Sequence, residues 1–585
     1  MLKIFRYLKP KEWLMAAVSL IFIVSQVWLE LKMPEYMQRI TSLVSTPGSA
    51  MSDVWAAGGF MLLCALGSLV GAVIVGFIAA RIAASFSQRL RSLLFNKVES
   101  FSMEEINRFS TSSLITRSTN DVTQITMLIT LALQLVARAP IMAVWAVIKI
   151  INKGFEWSLA TGAVVFVLVL VVTFIMIFVI PKFRRMQLLT DNITQVTREN
   201  LTGLRVVRAY NAEAYQEEKF EAANEDLTGT QMYTFRAMAV MMPVMHLLMG
   251  GLSLAIFWIG AFLIDAAGAA ERMAIFGNMI VFSQYAMQVI MSFMLLVIIF
   301  MMYPRASVSA KRVNEVLNTK PIIKDGSETE GKPGFTGEVT FKNVGFKYPD
   351  AADYVLHNIS FTAKRGETVA FIGSTGSGKS TLINLIPRFF DATEGEVLVG
   401  GINVKDYKLE ALYNKIGYVP QKAVLFKGTV SSNVAYGENG GESYGADEVK
   451  RAVRIAQGAD FVEKMEGGYS AAVAQGGTNV SGGQKQRLAI ARAVCRKPEI
   501  YIFDDSFSAL DYKTDRALRS AIKKETTGIT SLIVAQRIGT IMDADQIIVL
   551  DEGRVVGRGT HKELLKSCAV YKEIAMSQLS EEELS

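Results

Sequence analysis

Cysteine and charge are both scarce in this sequence. The three cysteines, Cys64, Cys495 and Cys568, have neither metal-binding nor redox spacing. The sequence therefore predicts free thiols rather than a zinc site or a disulfide framework. Charged residues make up only 20% of the 585 residues, whereas apolar residues make up 51%. This balance excludes an ordinary soluble protein over the whole length and predicts a large membrane portion.

The start of the sequence does not predict a cleavable targeting signal either. The first residues, MLKIFRYLKPKEW, contain no small-residue cleavage site before a short apolar core, so we expect a cytosolic amphipathic elbow there. Long apolar runs continue to about residue 306, and a composition typical of soluble proteins begins after about residue 336. The predicted domains are an elbow over 1–12, a transmembrane domain over 13–306, a linker over 307–336, a soluble domain over 337–575 and a C-terminal tail over 576–585.

Six apolar runs are long enough to cross a bilayer as helices, which takes about 20 residues. Basic residues are concentrated in the segments 81–127 and 181–238 and are few in the other connections. By the positive-inside rule, this pattern predicts a multi-pass protein of the cell (plasma) membrane with both termini in the cytoplasm. It also accounts for the net charge of +7 without a nucleic-acid partner. The predicted spans are about 13–31, 57–80, 128–150, 157–180, 239–264 and 274–302.

The two basic segments are expected to be helical. The stretch LTGLRVVRAYNAEAYQEEKFEAANEDL, residues 201–227, interleaves apolar and charged residues, and Gly203 is its one helix breaker. Structureless loops of nearly 50 residues are rare in compact domains. We therefore expect the membrane helices to continue into the cytosol.

Methionine recurs in the fifth and sixth spans, at positions that include Met245 and Met291. Methionine adapts to varied apolar ligands, so these spans could line a cavity for hydrophobic or amphipathic compounds; packing between helices or contact with lipid is the alternative. Gln284 and Gln288 lie one turn apart, and we expect both to face the interior because polar groups facing lipid are costly. No clear acid or base is expected at the centre of a span, so a proton gradient is not the expected energy source.

A glycine-rich loop between an apolar strand and an apolar helix predicts nucleotide binding. The stretch VAFIGSTGSGKSTLINL, residues 369–385, has the spacing G-x-x-x-x-G-K-S, in which backbone N–H groups and a helix N-terminus surround phosphate oxygens. Lys379 is expected to reach the β- and γ-phosphates, and Ser380 to offer its hydroxyl to Mg²⁺. The ATP-binding residues predicted here are Gly373, Ser374, Thr375, Gly376, Ser377, Gly378, Lys379, Ser380 and Thr381.

A second acidic motif follows a later apolar strand. In IYIFDD, residues 500–505, Asp504 ends the strand and is expected to hold Mg²⁺ through water. A carboxylate that merely caps a turn is the alternative, and the phosphate loop upstream makes it less favoured.

Together these motifs identify the chain as resembling an ATP-binding-cassette (ABC) exporter half-transporter. The stretch NVSGGQKQRLAIARA, residues 479–493, is similar to the family signature LSGGQ, with Val480 in place of leucine. The resemblance implies that Tyr348 stacks on adenine and that Gln421 links Mg²⁺ and the attacking water to the membrane domain. SALD, residues 508–511, and AVAQGG, residues 472–477, match two further family motifs.

The resemblance also implies the architecture. The expected fold is an all-α six-helix transmembrane domain with long cytosolic helical extensions, followed by an α/β P-loop ABC nucleotide-binding domain. Two such chains pair head to tail, and the helical tips near 110–118 and 209–220 dock on the nucleotide-binding domains. The signature residues that would contact the ATP bound on the partner are Ser481, Gly482, Gly483 and Gln484.

Two catalytic positions depart from the family pattern. Asp505 stands where the family has a glutamate as general base, and Gln536 stands where it usually has a histidine. The aspartate carboxylate is withdrawn by roughly one bond length, and a misplacement of about 1 Å can cost about 10²-fold in rate. The sequence thus predicts a site that binds ATP and hydrolyses it slowly, and a signature that serves a second half-transporter in a heterodimer. A homodimeric exporter of one dedicated substrate and an ATP-gated channel or regulatory subunit are the alternatives.

Overall fold

The computed structural model divides the chain into two compact units. Unit 1 comprises Met1–Val98 and Ser112–Thr319, and unit 2 comprises Glu99–Thr111 and Lys320–Ser585. The structure describes residues 2–46, 48–151, 154–268, 271–349, 351–437, 444–525 and 527–579. The end of the predicted tail, 580–585, lies outside the described residues.

Unit 1 is helical throughout its described residues, apart from short connections. Six helical stretches are long and apolar enough to cross a membrane, which confirms the predicted number of spans. A 3₁₀ turn over Leu2–Tyr7 precedes them. The helices are α1 (Pro10–Ser45), α2 (Met51–Glu99), α3 (Met103–Phe109), α4 (Thr111–Thr116), α5 (Val122–Leu131), α6 (Arg138–Ile151), α7 (Phe155–Thr202), α8 (Leu204–Ala209), α9 (Glu213–Ala239), α10 (Met241–Ala266) and α11 (Arg272–Asn318).

Three of these helices are far longer than a bilayer requires. The helices α2, α7 and α11 contain 49, 48 and 47 residues, which at about 1.5 Å per residue exceeds 70 Å, more than twice the hydrocarbon thickness. The expected helical extensions are thus present. α11 also covers 307–318, the first part of the predicted linker, because no proline or glycine interrupts the chain between Pro304 and Pro321.

The helical extension after the fourth span is broken twice. Gly203 separates α7 from α8, as its sequence position suggested. A second break at residues 210–212 was not predicted; there Asn211 has φ +51°, a left-handed conformation that asparagine tolerates better than most residues. The stretch 201–227, predicted to be helical, therefore contains the end of α7, all of α8 and the first part of α9.

The third span contains two irregular turns. π-helical turns occupy Arg117–Asp121 and Ala132–Val136, on either side of α5. Such turns are rare and often lie at functional sites. Ala137 connects the second turn to Arg138, the first residue of α6.

The expectation that no span carries a central charge is wrong. Arg138 lies in the middle of the predicted third span, and its guanidinium contacts Glu30 of α1 at 2.8 and 2.9 Å. The helix α1 itself continues to Ser45, beyond the predicted end of the first span at residue 31. An isolated charge would be costly at this depth, and pairing reduces that cost.

The methionines and glutamines of the fifth and sixth spans differ in how deeply they are buried. Met245 is buried in the helical core of unit 1, so packing explains it, whereas Met291 is exposed on the single chain. Gln288 is half-buried and Gln284 is exposed on the single chain, so the interior position of Gln284 stays a prediction.

A short segment between α2 and α4 belongs to unit 2. Phe101, Glu105 and Phe109 are buried at a spacing of four residues, on one face of α3 and its approach. The Glu105 carboxylate accepts hydrogen bonds from Ser102 N and from Ile322 N in the linker, at 2.7 and 2.8 Å. The segment grouped with the soluble unit is thus 99–111, slightly before the predicted tip at 110–118.

Unit 2 is an α/β domain built on two main sheets. The strands are β1 (Val339–Phe346), β2 (Leu356–Ala363), β3 (Thr368–Gly373), β4 (Glu394–Val399), β5 (Ile402–Asn403), β6 (Ile416–Val419), β7 (Gly428–Thr429), β8 (Ala472–Val473), β9 (Ile500–Asp504), β10 (Thr530–Val534), β11 (Gln546–Asp551) and β12 (Arg554–Gly559). A mainly parallel six-stranded sheet has the order β12-β11-β3-β10-β9-β6, and a four-stranded sheet has the order β2-β1-β4-β5.

The parallel arrangement of neighbouring strands brings the parts of the candidate site together. β3, β10 and β9 are adjacent and parallel, so the phosphate loop after β3 and the acidic pair after β9 emerge at the same edge of the sheet. The helices of unit 2 after α3 are α12 (Lys379–Asn384), α13 (Leu409–Asn414), α14 (Val430–Val434), α15 (Ala446–Ile455), α16 (Ala459–Val462), α17 (Gly482–Cys495), α18 (Tyr512–Glu525), α19 (Ile538–Ile541), α20 (His561–Ser567) and α21 (Ala569–Met576).

Candidate functional site: the nucleotide-binding edge of unit 2

The phosphate loop connects β3 to α12. Gly376 and Gly378 have φ values of +88° and +93°, which suit glycine and curl the backbone before the helix. A Cβ on Gly373 would lie 1.9 Å from the carbonyl oxygen of Leu550 on the neighbouring strand β11. The loop therefore needs glycine at these places to keep its backbone close to the sheet edge.

Substitution of Gly373 should distort this loop. Gly373→Ala forces Cβ against strand backbone that cannot move aside, and overpacking of this kind costs about 1–3 kcal/mol. We expect weaker Mg-ATP binding and a lower unfolding temperature, both measured on the full chain in detergent or lipid. Gly376→Ala is the matched control: its Cβ meets nothing within 4 Å, so only the backbone strain remains. Equal effects of the two variants would contradict the argument.

Lys379 lies at the start of α12 with its ammonium group folded over the loop. Its Nζ donates to the carbonyl oxygens of Gly373 and Ser374 at 2.9 and 2.7 Å and lies 3.2 Å from Ser377 Oγ. Burial lowers the pKa of Lys379, and the nearby Asp504 and Asp505 carboxylates act in the opposite direction. The same ammonium can exchange loop carbonyls for phosphate oxygens when a nucleotide enters.

Ser380 and Asp504 are brought together across the site. Ser380 Oγ donates to Asp504 Oδ1 at 2.8 Å, and burial raises the pKa of the Asp504 carboxyl. Hydroxyl and carboxylate oxygens are ligands that Mg²⁺ accepts, usually one or two at a time beside waters and substrate phosphates. No cluster of three or more metal-ligating side chains exists among the described residues.

Tyr348 is fixed next to the loop. Its hydroxyl lies 3.0 Å from Thr381 Oγ1, and its ring packs edge-on against Phe346 and Phe390. The residue is half-buried. The predicted contact with adenine stays a prediction.

Asp505 is the most constrained carboxylate of the site. Its φ is +44°, and Ser508 Oγ donates to its backbone carbonyl at 2.8 Å. Its Oδ2 accepts hydrogen bonds from Gln536 Nε2 at 2.9 Å and from Gln421 Nε2 at 3.3 Å. Burial raises the pKa of Asp505, and the hydrogen bonds from Gln421 and Ser508 partly oppose this. The three predicted catalytic residues therefore form one cluster.

The loop that carries Gln536 is held from two further sides that the sequence did not reveal. Gln578 donates from Nε2 to the carbonyl of Gln536 and accepts from the backbone N–H of Ile538, both at 2.8 Å. Arg537 donates to the carbonyl of Ser508 at 3.1 Å. Gln578 lies in the predicted tail, and no local pattern marks a contact with a loop about 40 residues earlier.

The signature lies at the N-terminus of α17, as predicted. Ser481 is the N-cap, and its hydroxyl and the Gln484 side chain exchange hydrogen bonds with each other's backbone N–H groups at 3.4 and 2.9 Å. Ser481 and Gly482 are at the start of this helix, where Gly482 is exposed. A capped helix N-terminus of this length offers backbone N–H groups and a favourable dipole to an anion.

Comparison with known proteins assigns a family to both units. Residues 16–303 match the family model for the ABC transporter transmembrane region, and residues 356–508 match that for the ABC transporter. An uncharacterised ABC transporter ATP-binding protein of Mycobacterium tuberculosis is 38% identical over 98% of this chain and 97% of its own length. The uncharacterised YfiB of Bacillus subtilis is 35% identical over 100% and 99%.

Two further relatives are informative. An ATP-dependent lipid A-core flippase of Pseudomonas aeruginosa is 30% identical over 90% of this chain and 86% of its own length. The structure of a bacterial Atm1-family ABC exporter with ATP bound is similar in fold, with a TM-score of 0.81 at 23% identity, over 98% of this chain and 100% of the other. This chain belongs to the ABC transporter family, as an exporter half-transporter that couples ATP to transport across a membrane.

Proposed function

We propose that the chain is the subunit of a heterodimeric ABC exporter whose own ATP site binds nucleotide and hydrolyses it slowly. The observation that carries the proposal is the cluster around Asp505. A carboxylate that acts as a general base needs only one free oxygen, but that oxygen must reach the attacking water within about 2.6–3.2 Å. Asp505 is one methylene shorter than glutamate, and its Oδ2 already accepts from Gln536 and Gln421.

Gln536 supports the same interpretation. It is neutral at all pH values, so it can donate a hydrogen bond to a phosphate but cannot place a positive charge there. In this chain its amide is directed at Asp505 at 2.9 Å. The two residues that depart from the family pattern, Asp505 and Gln536, thus contact each other. Each change weakens a catalytic role that the other residue would otherwise support.

The signature supports the second half of the proposal. Ser481, Gly482, Gly483 and Gln484 retain the capped helix start that phosphate binding requires. A weak own site beside a sound signature favours a partner that owns the faster site. ATP and Mg²⁺ are the proposed cofactors, with Ser380, Gln421 and Asp504 next to the cation.

The proposed cargo is a hydrophobic or amphipathic compound of the multidrug or lipid type. The spans are apolar and expose side chains such as Met242 and Met291 on the single chain. The relatives include proteins described as lipid A-core flippases, which suggests a lipid-like class for this chain. The proposed location is the cell membrane, with both termini in the cytoplasm.

ATPase activity of the chain purified alone in lipid tests the proposal. We expect turnover close to that of its Lys379→Ala variant, and a strong rise after co-expression with the second half-transporter. Two copies of this chain would form two ATP sites. Both sites would hydrolyse ATP slowly, because neither contains the general base of a different partner. Rapid turnover by the chain alone, abolished by Lys379→Ala, would establish a homodimer in which Asp505 is a working base. An ATP-dependent ion conductance in planar bilayers would instead indicate a channel.

A further inference from the structure

One side chain from the end of unit 2 holds the backbone of the Gln536 loop on both sides of Arg537. Gln578 Nε2 donates to the carbonyl oxygen of Gln536, and Gln578 Oε1 accepts from the backbone N–H of Ile538, both at 2.8 Å. Ile538 is the first residue of α19, and the N–H groups of a first helical turn have no partner within their own helix. The side chain of Gln578 therefore fixes the end of the loop and supplies an acceptor to the helix that follows it.

Gln578 is itself attached to the core of unit 2. It follows α21, in which Tyr571 and Ala575 are fully buried, and the Tyr571 hydroxyl lies 2.6 Å from Nδ1 of the buried His561. The backbone N–H of Gln578 donates to the carbonyl oxygen of Ala575 at 3.1 Å. The position of Gln578 is therefore set by a helix packed on the core, and the loop that it contacts is set by Gln578.

A second support of the same loop comes from the turn that follows β9. Arg537 donates to the carbonyl oxygens of Ser508 and Leu510 at 3.1 and 3.4 Å. Ser508 is exposed and lies in a turn, and exposed hydrogen bonds between loops are the first to open in a folded protein. Gln578 is thus the support that connects the loop to the packed core.

The position of this loop determines where the Gln536 amide can donate. Its Nε2 donates to Asp505 Oδ2 at 2.9 Å. An amide nitrogen carries two N–H donors, and the second has no acceptor among the residues that the structure describes. Burial raises the pKa of Asp505, and the nearby Lys379 ammonium of the phosphate loop opposes this. The second N–H of Gln536 therefore lies beside the phosphate loop and is available to a phosphate oxygen.

We propose that Gln578 is a positioning residue that holds the Gln536 amide at the γ-phosphate, so that this chain's own site distinguishes ATP from ADP. The proposal goes beyond the proposed function, because it concerns nucleotide binding and holds whether Asp505 hydrolyses ATP quickly or slowly. ATP exceeds ADP by the γ-phosphate alone, so only the affinity for ATP should depend on this amide. A hydrogen bond needs its two heavy atoms within about 2.7–3.2 Å, so a small shift of the loop removes it.

Equilibrium binding of two nucleotides to the full chain in lipid nanodiscs tests the proposal: Mg-ADP and the non-hydrolysable ATP analogue Mg-AMP-PNP. Gln578→Met keeps the length of the side chain and removes both of its hydrogen bonds to the loop. We expect the affinity for AMP-PNP to fall about fivefold or more, since a hydrogen bond to a charged group is lost, and the affinity for ADP to change by less than twofold. Ser577→Ala is the matched control: the Ser577 hydroxyl donates to the carbonyl of Ile574 in its own helix at 2.7 Å, so both affinities should stay within twofold.

A double-mutant cycle separates positioning from a general loss of structure. Gln536→Ala removes the amide itself and should weaken AMP-PNP as Gln578→Met does. Because Gln578 is proposed to act through that amide, adding Gln578→Met to Gln536→Ala should cost less than a further twofold. The proposal is overturned if Gln578→Met leaves AMP-PNP binding unchanged, if it lowers both affinities alike, or if its effect adds in full to that of Gln536→Ala. If neither nucleotide binds the unmodified chain, the ATP site itself is refuted, and this proposal with it.

Discussion

Lys379→Ala should abolish measurable ATP binding at this chain's own site. The ammonium group lies against the phosphate loop and donates to the carbonyls of Gly373 and Ser374 at 2.9 and 2.7 Å. Hydrogen bonds to charged groups contribute about 1.5–3 kcal/mol each. Because two phosphates would lose such a contact, we expect affinity to fall by about 100-fold or more. The loop also loses the ammonium group whose hydrogen bonds hold it together in the absence of nucleotide.

Photolabelling with an azido-ATP analogue, followed by mapping of the labelled peptide, measures this effect at the chain's own site. Lys342→Ala, at an exposed lysine of β1 in the same unit, is the matched control and should label normally. Undiminished labelling of Lys379→Ala near Tyr348 would mean that the loop holds nucleotide without this cation, and the assignment of the site would then be wrong.

The local parts of the site could be predicted from the sequence because they are contiguous. The phosphate loop needs strand, glycines, lysine and helix in immediate succession, and the structure has β3, the loop and α12 in that order. Ser481 could be placed as the start of α17 because an N-cap is recognisable from its own side chain and from Gln484 three residues later. The motifs also lie in one order along the chain, which allowed both units to be identified.

The parts that depend on distant residues could not be predicted in the same way. Glu30 and Arg138 are 108 residues apart, and a single arginine lowers the mean hydropathy of a long span only slightly, so the third span was recognised while its charge was missed. The contact of Gln578 with the Gln536 loop has no local pattern either. The break at residues 210–212 depends on Asn211 adopting φ +51°, which composition alone does not specify.

The cluster of Asp505, Gln536 and Gln421 could be predicted from the sequence only in part. Each residue type could be read from its motif, and the sequence predicted that both departures weaken catalysis. The direct hydrogen bond between Asp505 and Gln536 at 2.9 Å required the fold, which places the end of β9 beside the end of β10. Because the two residues touch, their effects on hydrolysis should not be additive.

Restoring both positions should therefore increase hydrolysis more than either change alone. In Asp505→Glu the carboxylate advances by about one bond length, and an error of about 1 Å can cost about 10²-fold. Gln536→His removes the amide that donates to Asp505 Oδ2 and supplies an imidazole that can become a cation. We expect the double variant of the chain, purified alone in lipid, to turn over ATP about 10²-fold faster, because its intact signature allows two copies to complete each other's sites.

The two single variants and Asp505→Asn complete the comparison. Each single change should give only part of the increase. In Asp505→Glu the lengthened carboxylate would still meet the Gln536 amide, and in Gln536→His the new imidazole would still face the short carboxylate of Asp505. Asp505→Asn keeps the size of the side chain and removes its charge, so it should lower the residual turnover further if Asp505 acts as a weak base. If the double variant stays as slow as the unmodified chain, the limit on hydrolysis lies outside this cluster, and the slow-site assignment to Asp505 and Gln536 fails.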